Sequence, residues 1–292
     1  MIAAIAHDAG GAEVVSSWLK HASERFSLTA EGPANLIFDS KFESLNRLEL
    51  KLAIENCDWV LCGTSWDSTL ELEGIKLARQ LGKKSVAFLD HWSNYLDRFS
   101  DQGSLCLPNE IWVGDNYAYD ILNKCLPEIE KKIVKNFYLE DLKSKVQSFS
   151  KLGDTNTINL LYVCEPIAEH AKKAYGNENH WGYTETDAIS YFFEHVGKIY
   201  NRIDSIVIRP HPSESRSKYD WIKSNADYSV NIGGEKSLIE EIADSTAVFG
   251  CESMAMVVGL ISNKIVYSVI PPSGKICVLP QKEIIHFRDI FK

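Results

Sequence analysis

Residues 205–213 read Ser-Ile-Val-Ile-Arg-Pro-His-Pro-Ser, a strand-forming run that two prolines stop. The aliphatic residues favour a buried strand, and the prolines end it so that His211 stands at its C-terminal tip. In an open α/β sheet, ligands bind at the carboxyl ends of the strands. Arg209 and His211 at such a tip suit an anion, and we predict that they bind a phosphate, with Pro212 shaping the turn. The alternative is a rigid turn that carries a surface histidine.

The same alternation of short apolar runs and helical patterns extends over the whole chain, which indicates βαβ units and parallel sheets. The predicted strands cover residues 2–6, 59–62, 85–89, 110–113, 158–163, 206–208, 228–231, 247–250 and 265–268. The predicted helices cover about residues 12–21, 44–55, 68–81, 117–125, 185–200, 218–224, 237–244 and 253–261. We therefore predict an α/β fold with two Rossmann-like domains, residues 1–150 and 158–292, that face each other across a cleft. The polar run 151–157 is the predicted linker.

The composition is that of a soluble globular protein, with 45% hydrophobic and 24% charged residues among 292. A net charge of −9 argues against a nucleic-acid partner. The first residues do not resemble a signal peptide, and no apolar run is long enough to cross a bilayer. The seven cysteines are scattered without a CxxC pair or a zinc pattern, so we expect buried free thiols and a cytoplasmic protein.

A second candidate site follows the predicted strand 247–250, where the chain reads Gly-Cys-Glu-Ser before a helix. Free N–H groups at a helix start form a phosphate seat, and Ser253 either contacts that phosphate or simply caps the helix. We group Glu252 with these donor-binding residues. Glu240 and Glu165 are further candidates that accept hydrogen bonds from sugar hydroxyls. Their alternatives are a solvated helix face for Glu240 and a turn cap for Glu165.

A third candidate site is the run Val-Ala-Phe-Leu-Asp-His-Trp-Ser-Asn-Tyr at 86–95. Its strand delivers Asp90 to a carboxyl end, where a carboxylate can take a proton from an attacking hydroxyl. His91 either orients Asp90 or replaces it as the base. Trp92 and Tyr95 are candidates for stacking on an acceptor sugar. The alternative is that Asp90 only caps the segment that follows.

A fourth candidate site is His-Asp-Ala-Gly-Gly at 7–11, after the first strand. Asp8 is the alternative base, and Gly10 and Gly11 would allow a ligand to approach the backbone closely. The pattern is not GxGxxG, so a dinucleotide fingerprint is not predicted. The turn that contains Ser65 and Asp67 closes the next strand and is predicted to line the same cleft.

Taken together, these motifs resemble the GT-B glycosyltransferases that use CMP-activated acidic sugars. These include bacterial sialyltransferases, polysialyltransferases and transferases of Kdo or other nonulosonates. The family carries an acidic motif followed by a tyrosine in its first domain, and Asp90 and Tyr95 match it. It carries a His-Pro motif and then a serine motif in its second domain, which His211 and Ser253 match. Four neighbours depart from the pattern: Leu89, His91, Cys251 and Glu252.

The resemblance implies a metal-independent, inverting transfer without a cofactor. Asp90 would take the proton of an acceptor hydroxyl while CMP leaves from the anomeric carbon. His211, Arg209 and the helix start at Ser253 would neutralise its phosphate. The implied partners are a nucleotide-sugar donor and a glycan or lipid-linked glycan acceptor of surface polysaccharide synthesis. The implied location is cytoplasmic, and peripheral contact with the inner face of the membrane is left open.

Three other functions fit the same residues. The first is a GT-B-type enzyme of another nucleotide, either a UDP-sugar transferase or a UDP-sugar 2-epimerase. The second is a CDP-glycerol phosphotransferase. The third is a non-catalytic nucleotide-sugar-binding scaffold of an assembly complex. The apolar C-terminal residues 284–292 could pack back on the first domain or dock weakly on a membrane or a partner, and we expect packing.

Overall fold

The computed structural model describes residues 1–66, 68–149, 157–225 and 228–291. The chain divides into two compact units, Met1–Glu140 and Asp141–Lys292. Asp67 and residues 151–156 of the predicted linker lie outside the described residues. The predicted domain boundaries and the predicted cleft therefore stay predictions.

The first unit contains a parallel sheet, and helices connect its successive strands. Its sheet has the order β2-β1-β3-β4-β7-β8, and β5 and β6 form a small antiparallel pair. The elements up to the unit boundary are β1 (Ile2–Ala6), α1 (Ala9–Ala22), β2 (Phe26–Ala30), α2 (Ala34–Lys41), α3 (Leu50–Glu55), β3 (Trp59–Cys62), α4 (Leu70–Gln80), β4 (Lys84–Phe88), α5 (Tyr95–Arg98), β5 (Ser100–Asp101), β6 (Ser104–Leu105), β7 (Glu110–Val113), α6 (Asn116–Cys125), β8 (Glu130–Ile133) and α7 (Phe137–Phe149).

The second unit contains another parallel sheet, with the order β11-β10-β9-β12-β13-β14. A short 3₁₀ turn, Arg216–Tyr219, follows β10. The elements are β9 (Asn159–Val163), α8 (Ile167–Tyr175), α9 (Glu185–Ile199), β10 (Ser205–Arg209), α10 (Ile222–Asn225), β11 (Val230–Ile232), α11 (Leu238–Asp244), β12 (Ala247–Gly250), α12 (Met254–Ile261), β13 (Ile265–Ser268), β14 (Ile285–His286) and α13 (Phe287–Ile290). The prediction of an α/β fold with two Rossmann-like domains is confirmed.

The central strands are apolar throughout because both faces of a parallel sheet are covered. All five residues of β1 are buried, and so are all four of β12. In each sheet the strand order reverses once, between β1 and β3 in the first unit and between β9 and β12 in the second. These reversals are the topological switch points at which α/β sheets bind ligands.

Several elements differ from the sequence-based prediction. The helix predicted over 44–55 begins only at Leu50. The backbone of residues 46–48 instead forms hydrogen bonds with Leu28 of β2. Helix α1 begins at Ala9, three residues early, so the two glycines belong to its first turn. Among the elements that the sequence prediction missed are β2, α2, β8 and α8.

The C-terminal residues pack, as expected, and they do so on the second unit. Strand β14 pairs with β13, and the fully buried Phe287 belongs to the core of the second unit. The segment therefore completes its own domain. Five of the seven free cysteines are buried, as expected, while Cys125 is exposed and Cys277 is intermediate. No helix among the described residues combines the length and the hydropathy that a membrane span requires.

Candidate functional site

His211 lies just beyond the end of β10, as predicted, and its tautomer follows from its contacts. The backbone N–H of Ser213 donates to Nδ1 of His211 over 3.2 Å, and the Ser213 hydroxyl lies 2.7 Å from the same atom. Because a backbone N–H can only donate, Nδ1 is the acceptor and the neutral ring carries its proton on Nε2. No partner of Nε2 is found in the described part of the chain, so this N–H is free to meet a ligand. Pro212 is exposed in the same turn.

A second histidine, which the sequence prediction missed, lies next to this ring. His170 on α8 has its ring centroid 6.5 Å from that of His211. Burial lowers the pKa of His211, Glu214 opposes that shift and His170 adds to it. The neutral ring that results can still donate from Nε2, so a phosphate contact does not require a protonated imidazole.

Buried charges fix the turn that carries His211. Glu214 accepts the backbone N–H of His211 at 3.1 Å and the Tyr219 hydroxyl at 2.9 Å. Lys218 forms ion pairs with both Glu214 and Glu185, whose side chains are 1% and 7% exposed. Glu185 also accepts the backbone N–H of Ala168 at the start of α8. One lysine therefore connects the His211 turn to the helix that carries His170.

Arg209, which the sequence predicts to bind a phosphate, is paired within the protein. Its guanidinium donates to Glu241 over 2.7 Å and to the carbonyl of Lys236 over 3.0 Å. Glu241 is itself buried and accepts the backbone N–H of Gly234 at 2.7 Å. The pair thus holds the turn between β11 and α11.

Glu165 and Ser253 follow β9 and β12, the two strands of the switch point in the second unit. One carboxylate oxygen of Glu165 accepts the backbone N–H groups of Cys251 and Glu252, at 3.2 and 2.8 Å. Ser253 is the N-cap of α12, and its hydroxyl accepts the N–H of Ala255 at 3.2 Å. Both side chains therefore accept hydrogen bonds from backbone N–H groups near the start of α12. The sequence analysis predicts that these N–H groups bind a phosphate.

The remaining predicted donor-binding carboxylates also have partners within the protein. Glu252 forms an ion pair with Lys275 and accepts the backbone N–H of Val278 at 3.3 Å. Glu240 completes a capping box with Ser237 at the exposed start of α11. Glu240 therefore caps the start of α11, and its predicted contact with a sugar hydroxyl stays a prediction.

We expect Glu165→Gln to change how the stability of the second unit depends on pH. Burial raises the pKa of Glu165 from 4.5 to about 7, and the nearby Glu252 adds to that shift. The native state then holds this proton more tightly than the unfolded chain does. Stability is therefore lost as the pH rises from 4.5 to 7, by at most about 3 kcal/mol. Melting temperatures of wild type and Glu165→Gln between pH 5 and pH 8 measure this loss.

The variant should gain stability over the wild type as the pH rises. Glu240→Gln is the control, because hydrogen bonds from Ser237 lower the pKa of Glu240 and move its titration below this window. Parallel pH profiles for wild type and Glu165→Gln would contradict the assignment.

In the first unit, Asp90 lies past the end of β4 and is paired within the protein. Its Oδ1 accepts from Arg98 at 2.8 Å and lies 3.4 Å from the Thr64 hydroxyl. Its Oδ2 lies against Gly10, so close that a Cβ on this residue would clash with the oxygen. Both oxygens of the predicted base therefore have close neighbours.

The side chains around Asp90 are less available to a sugar than predicted. Trp92 is 6% exposed and donates its indole N–H to Asp115 at 2.9 Å. Tyr95 is 2% exposed, and burial raises its pKa far above the usual value. These two aromatic side chains are part of the core and not stacking surfaces. His91 is half-buried, and its Nδ1 lies 3.0 Å from the Ser93 hydroxyl.

A connected polar network lies at the switch point between β1 and β3. Nδ1 of His7 lies 2.7 Å from Oδ1 of Asp8, and the backbone N–H of Trp66 donates to Oδ2 of Asp8 at 2.6 Å. Glu71 on α4 accepts the backbone N–H of His7 at 2.8 Å and the Ser65 hydroxyl at 2.6 Å. Burial raises the pKa of Glu71.

The network brings together Asp8 and Ser65, to which the sequence analysis assigns site roles, with His7 of the same motif and with Glu71, which it missed. The glycines beside it serve the fold. A Cβ on Gly11 would lie 3.0–3.1 Å from backbone atoms of Gly63 and Thr64, so the close approach here is between two parts of the protein. Within the described ranges, no three His, Cys, Asp or Glu side chains are grouped to hold a metal ion.

Solved structures show the same fold at low sequence identity. The UDP-GlcNAc 2-epimerase from Methanocaldococcus jannaschii matches with a TM-score of 0.58 and 13% identity, over 91% of this chain and 83% of that chain. A proposed UDP-N-acetylglucosamine 2-epimerase from Listeria monocytogenes gives 0.59 and 12%, over 91% and 78%. A glycosyltransferase from Rickettsia africae ESF-5 gives 0.55 and 13%, over 91% and 78%. No family model and no curated protein sequence matches the chain. The likenesses therefore show a shared GT-B-like fold.

Proposed function

We propose that this protein is an enzyme that acts on a UDP-sugar, as a glycosyltransferase or a 2-epimerase. Of the three solved structures named above, two are described as UDP-GlcNAc 2-epimerases and one as a glycosyltransferase. Both reactions break the bond between an anomeric carbon and a phosphate oxygen. Both need a group that stabilises the leaving phosphate and a base that takes a proton.

The observation that carries the proposal is the His211 side chain. Its N–H at Nε2 lies at the carboxyl end of β10, beside the central strand β9, and the Glu214 and Lys218 contacts hold its turn in place. A fixed neutral donor at this position suits a phosphate oxygen whose negative charge grows as the sugar leaves. His170 adds a second imidazole to the same side of the unit.

A CMP-sugar transferase is the second candidate, and the ion pairs of the second unit favour it. Arg209 and Lys275 are each paired with a glutamate, and Glu165 occupies two loop N–H groups. Fewer free positive groups remain for a diphosphate than for the single phosphate of CMP. The motif order around His211 and Ser253 supports the same candidate.

Thermal unfolding with UDP, UMP, CDP and CMP, with and without a chelator, tests which nucleotide the protein binds. A nucleotide at a hundred times its dissociation constant adds about 2.7 kcal/mol of stability, which raises the melting temperature measurably. We expect UDP to stabilise most and the chelator to have no effect. Incubation with UDP-GlcNAc, followed by proton NMR, should then show released UDP or the 2-epimer.

The pattern of stabilisation separates the candidates. A preference for CMP would replace the main proposal with the CMP-sugar transferase. A preference for CDP would favour a CDP-glycerol phosphotransferase. Nucleotide binding without any turnover would favour the nucleotide-sugar-binding scaffold, and if no nucleotide stabilises the protein, the proposed donor site is wrong.

A further inference from the structure

We infer that Lys218 is a positioning residue of the donor site, which holds His170 and His211 at a separation from which both imidazoles contact one phosphate group. This inference rests on the proposed function and adds a second phosphate contact, His170, to that site. Every residue involved belongs to the second unit.

The ammonium group of Lys218 bridges two carboxylates that hold different segments of the backbone. Glu214 lies 2.7 Å from Nζ of Lys218 and accepts the backbone N–H of His211 at 3.1 Å. Glu185 forms the second ion pair with Lys218 and accepts the backbone N–H of Ala168 at 2.8 Å. The bridge therefore ties the turn that carries His211 to the first turn of α8.

Stability alone does not account for this bridge. The side chains of Glu214 and Glu185 are 1% and 7% exposed, so two carboxylates are buried around a single ammonium group. Apolar side chains of similar volume often give a buried site equal or greater stability than an ion pair does. An ionic network instead fixes geometry, because each partner must stay within hydrogen-bond distance to offset the cost of burying its charge. Here it fixes the position of the His211 turn against α8.

His170 lies on the helix at the other end of this bridge, two residues after Ala168. Its ring centroid is 6.5 Å from that of His211, and the two ring planes meet at 77°. The His170 residue is exposed, and the described ranges of the chain contain no hydrogen-bond partner for either of its ring nitrogens. A neutral imidazole always carries one N–H, so each of the two rings offers a free donor.

The separation of the two rings suits a single phosphate group. Two hydrogen bonds of about 2.8 Å, to two oxygens on the same phosphorus, roughly span the gap between the rings. A hydrogen bond to a charged acceptor is stronger than one between neutral groups, so the second donor adds affinity as well as orientation. The bridge of Lys218 matters because both bonds form only while the rings keep this separation.

Both donors act on the bond that breaks in the proposed reaction. As the sugar leaves, the electron pair of the bond between the anomeric carbon and the phosphate oxygen goes to that oxygen, and the negative charge on the phosphate grows. Hydrogen bonds from His170 and His211 stabilise this charge without transferring a proton. Lys218 does not touch the phosphate and acts only through the backbone segments that carry the two rings.

The first test detects the second phosphate contact and needs no turnover. In full-length protein labelled with ¹⁵N-histidine, inorganic phosphate and UDP should each shift the ring resonances of both His170 and His211. The resonances are assigned by their loss in His170→Gln and His211→Gln. His195 is the control, because its Nδ1 bonds to the carbonyl of Tyr191 within α9, and its resonances should not move.

The outcomes of this titration separate the inference from the proposed function. A shift of His211 without a shift of His170 would reject the second contact while the donor site stands. Shifts of both rings with phosphate, but with no nucleotide, would reject the proposed function and keep the paired contact. Shifts of neither ring with either ligand would reject both.

The second test is a double-mutant cycle on the dissociation constant of UDP, or of inorganic phosphate if UDP does not bind. His170→Ala alone should weaken binding about tenfold, the usual value of one hydrogen bond to a charged group. In a Lys218→Met background the same substitution should weaken binding by about twofold at most, because the ring has already lost its position. Equal losses in both backgrounds would mean that Lys218 only stabilises the fold. Lys223→Met removes an exposed lysine paired with Asp220 and should leave the tenfold effect intact.

Two further variants separate position from charge. Lys218→Arg should keep the affinity within about threefold of wild type, because a guanidinium also bridges two carboxylates. Lys218→Met leaves two buried carboxylates without a cation, and if it does not fold, Lys218→Met combined with Glu185→Gln replaces it in the cycle. This double variant removes one charge of each sign and keeps an amide oxygen that accepts the Ala168 N–H. Wild-type affinity in the double variant would overturn the role of Lys218, because charge balance without the bridge would then suffice.

Discussion

In His211→Ala, turnover of the nucleotide sugar should fall about a thousandfold, because the variant loses the donor that meets the leaving phosphate. Nucleotide affinity should fall only about tenfold, which is the usual value of one hydrogen bond to a charged group. The difference arises because negative charge on the phosphate grows as the sugar leaves. The donor of His211 therefore stabilises the transition state more than the bound nucleotide.

The measurement compares kcat with the dissociation constant of the nucleotide product. His211→Gln should keep part of the rate because its amide can still donate a hydrogen bond. His180→Ala is the control, since it removes an exposed imidazole that stacks on Tyr175 in the same unit. Equal losses in kcat and affinity would mean that His211 only binds, and an unchanged rate would remove it from the site.

The strands were predictable where their sequence is apolar, and the misses have physical causes. The central strands are buried on both faces, so their hydrophobic runs are unbroken. The outermost strand of the first sheet, β8, reads Glu-Lys-Lys-Ile and is mostly exposed. Charged edge strands of this kind protect a sheet from pairing with other chains, and they leave no periodic signal. Strand β2, at the other edge, mixes serine and threonine with its apolar residues.

The candidate site was less predictable than the fold, because its partners are distant in sequence. The position of His211 after β10 follows from the prolines around it. The ion pair of Arg209 depends on Glu241, which is 32 residues away in the sequence. Likewise Glu165 takes the N–H of Cys251 from 86 residues away. A position at the end of a strand predicts that a residue lies at the carboxyl edge of the sheet. It does not predict which of these residues form ion pairs or hydrogen bonds with one another.

The polar network around His7 was also only partly predictable from the sequence. The pair His7 and Asp8 was visible at the end of the first strand. Adjacent residues do not ordinarily hydrogen-bond through their side chains, so their spacing alone does not predict the 2.7 Å contact. The contact arises because the Trp66 N–H and Glu71 hold the two residues from other elements. Those elements lie next to His7 only because of the order of the strands in the sheet.

We expect Gly63→Ala to destabilise the first unit by about 3 kcal/mol, the upper range for overpacking a closely packed site. A Cβ at position 63 would lie 2.8 Å from Cα and 3.0 Å from the carbonyl carbon of Gly11. These are backbone atoms of α1, so no side chain can turn away to make room. Relief would require the start of α1 to move from β3, which would also separate Asp8 from the Trp66 N–H.

Thermal unfolding tests this prediction. Thermal unfolding should show a loss of roughly 10 °C for the first unit, given about 2–4 °C per kcal/mol for domains of this size. The control is Gly103→Ala, where a Cβ meets open space and only the positive φ of +83° is strained, at a cost of about 1 kcal/mol. A variant as stable as Gly103→Ala would contradict the prediction, because it would show that α1 can move away from Gly63 at little cost.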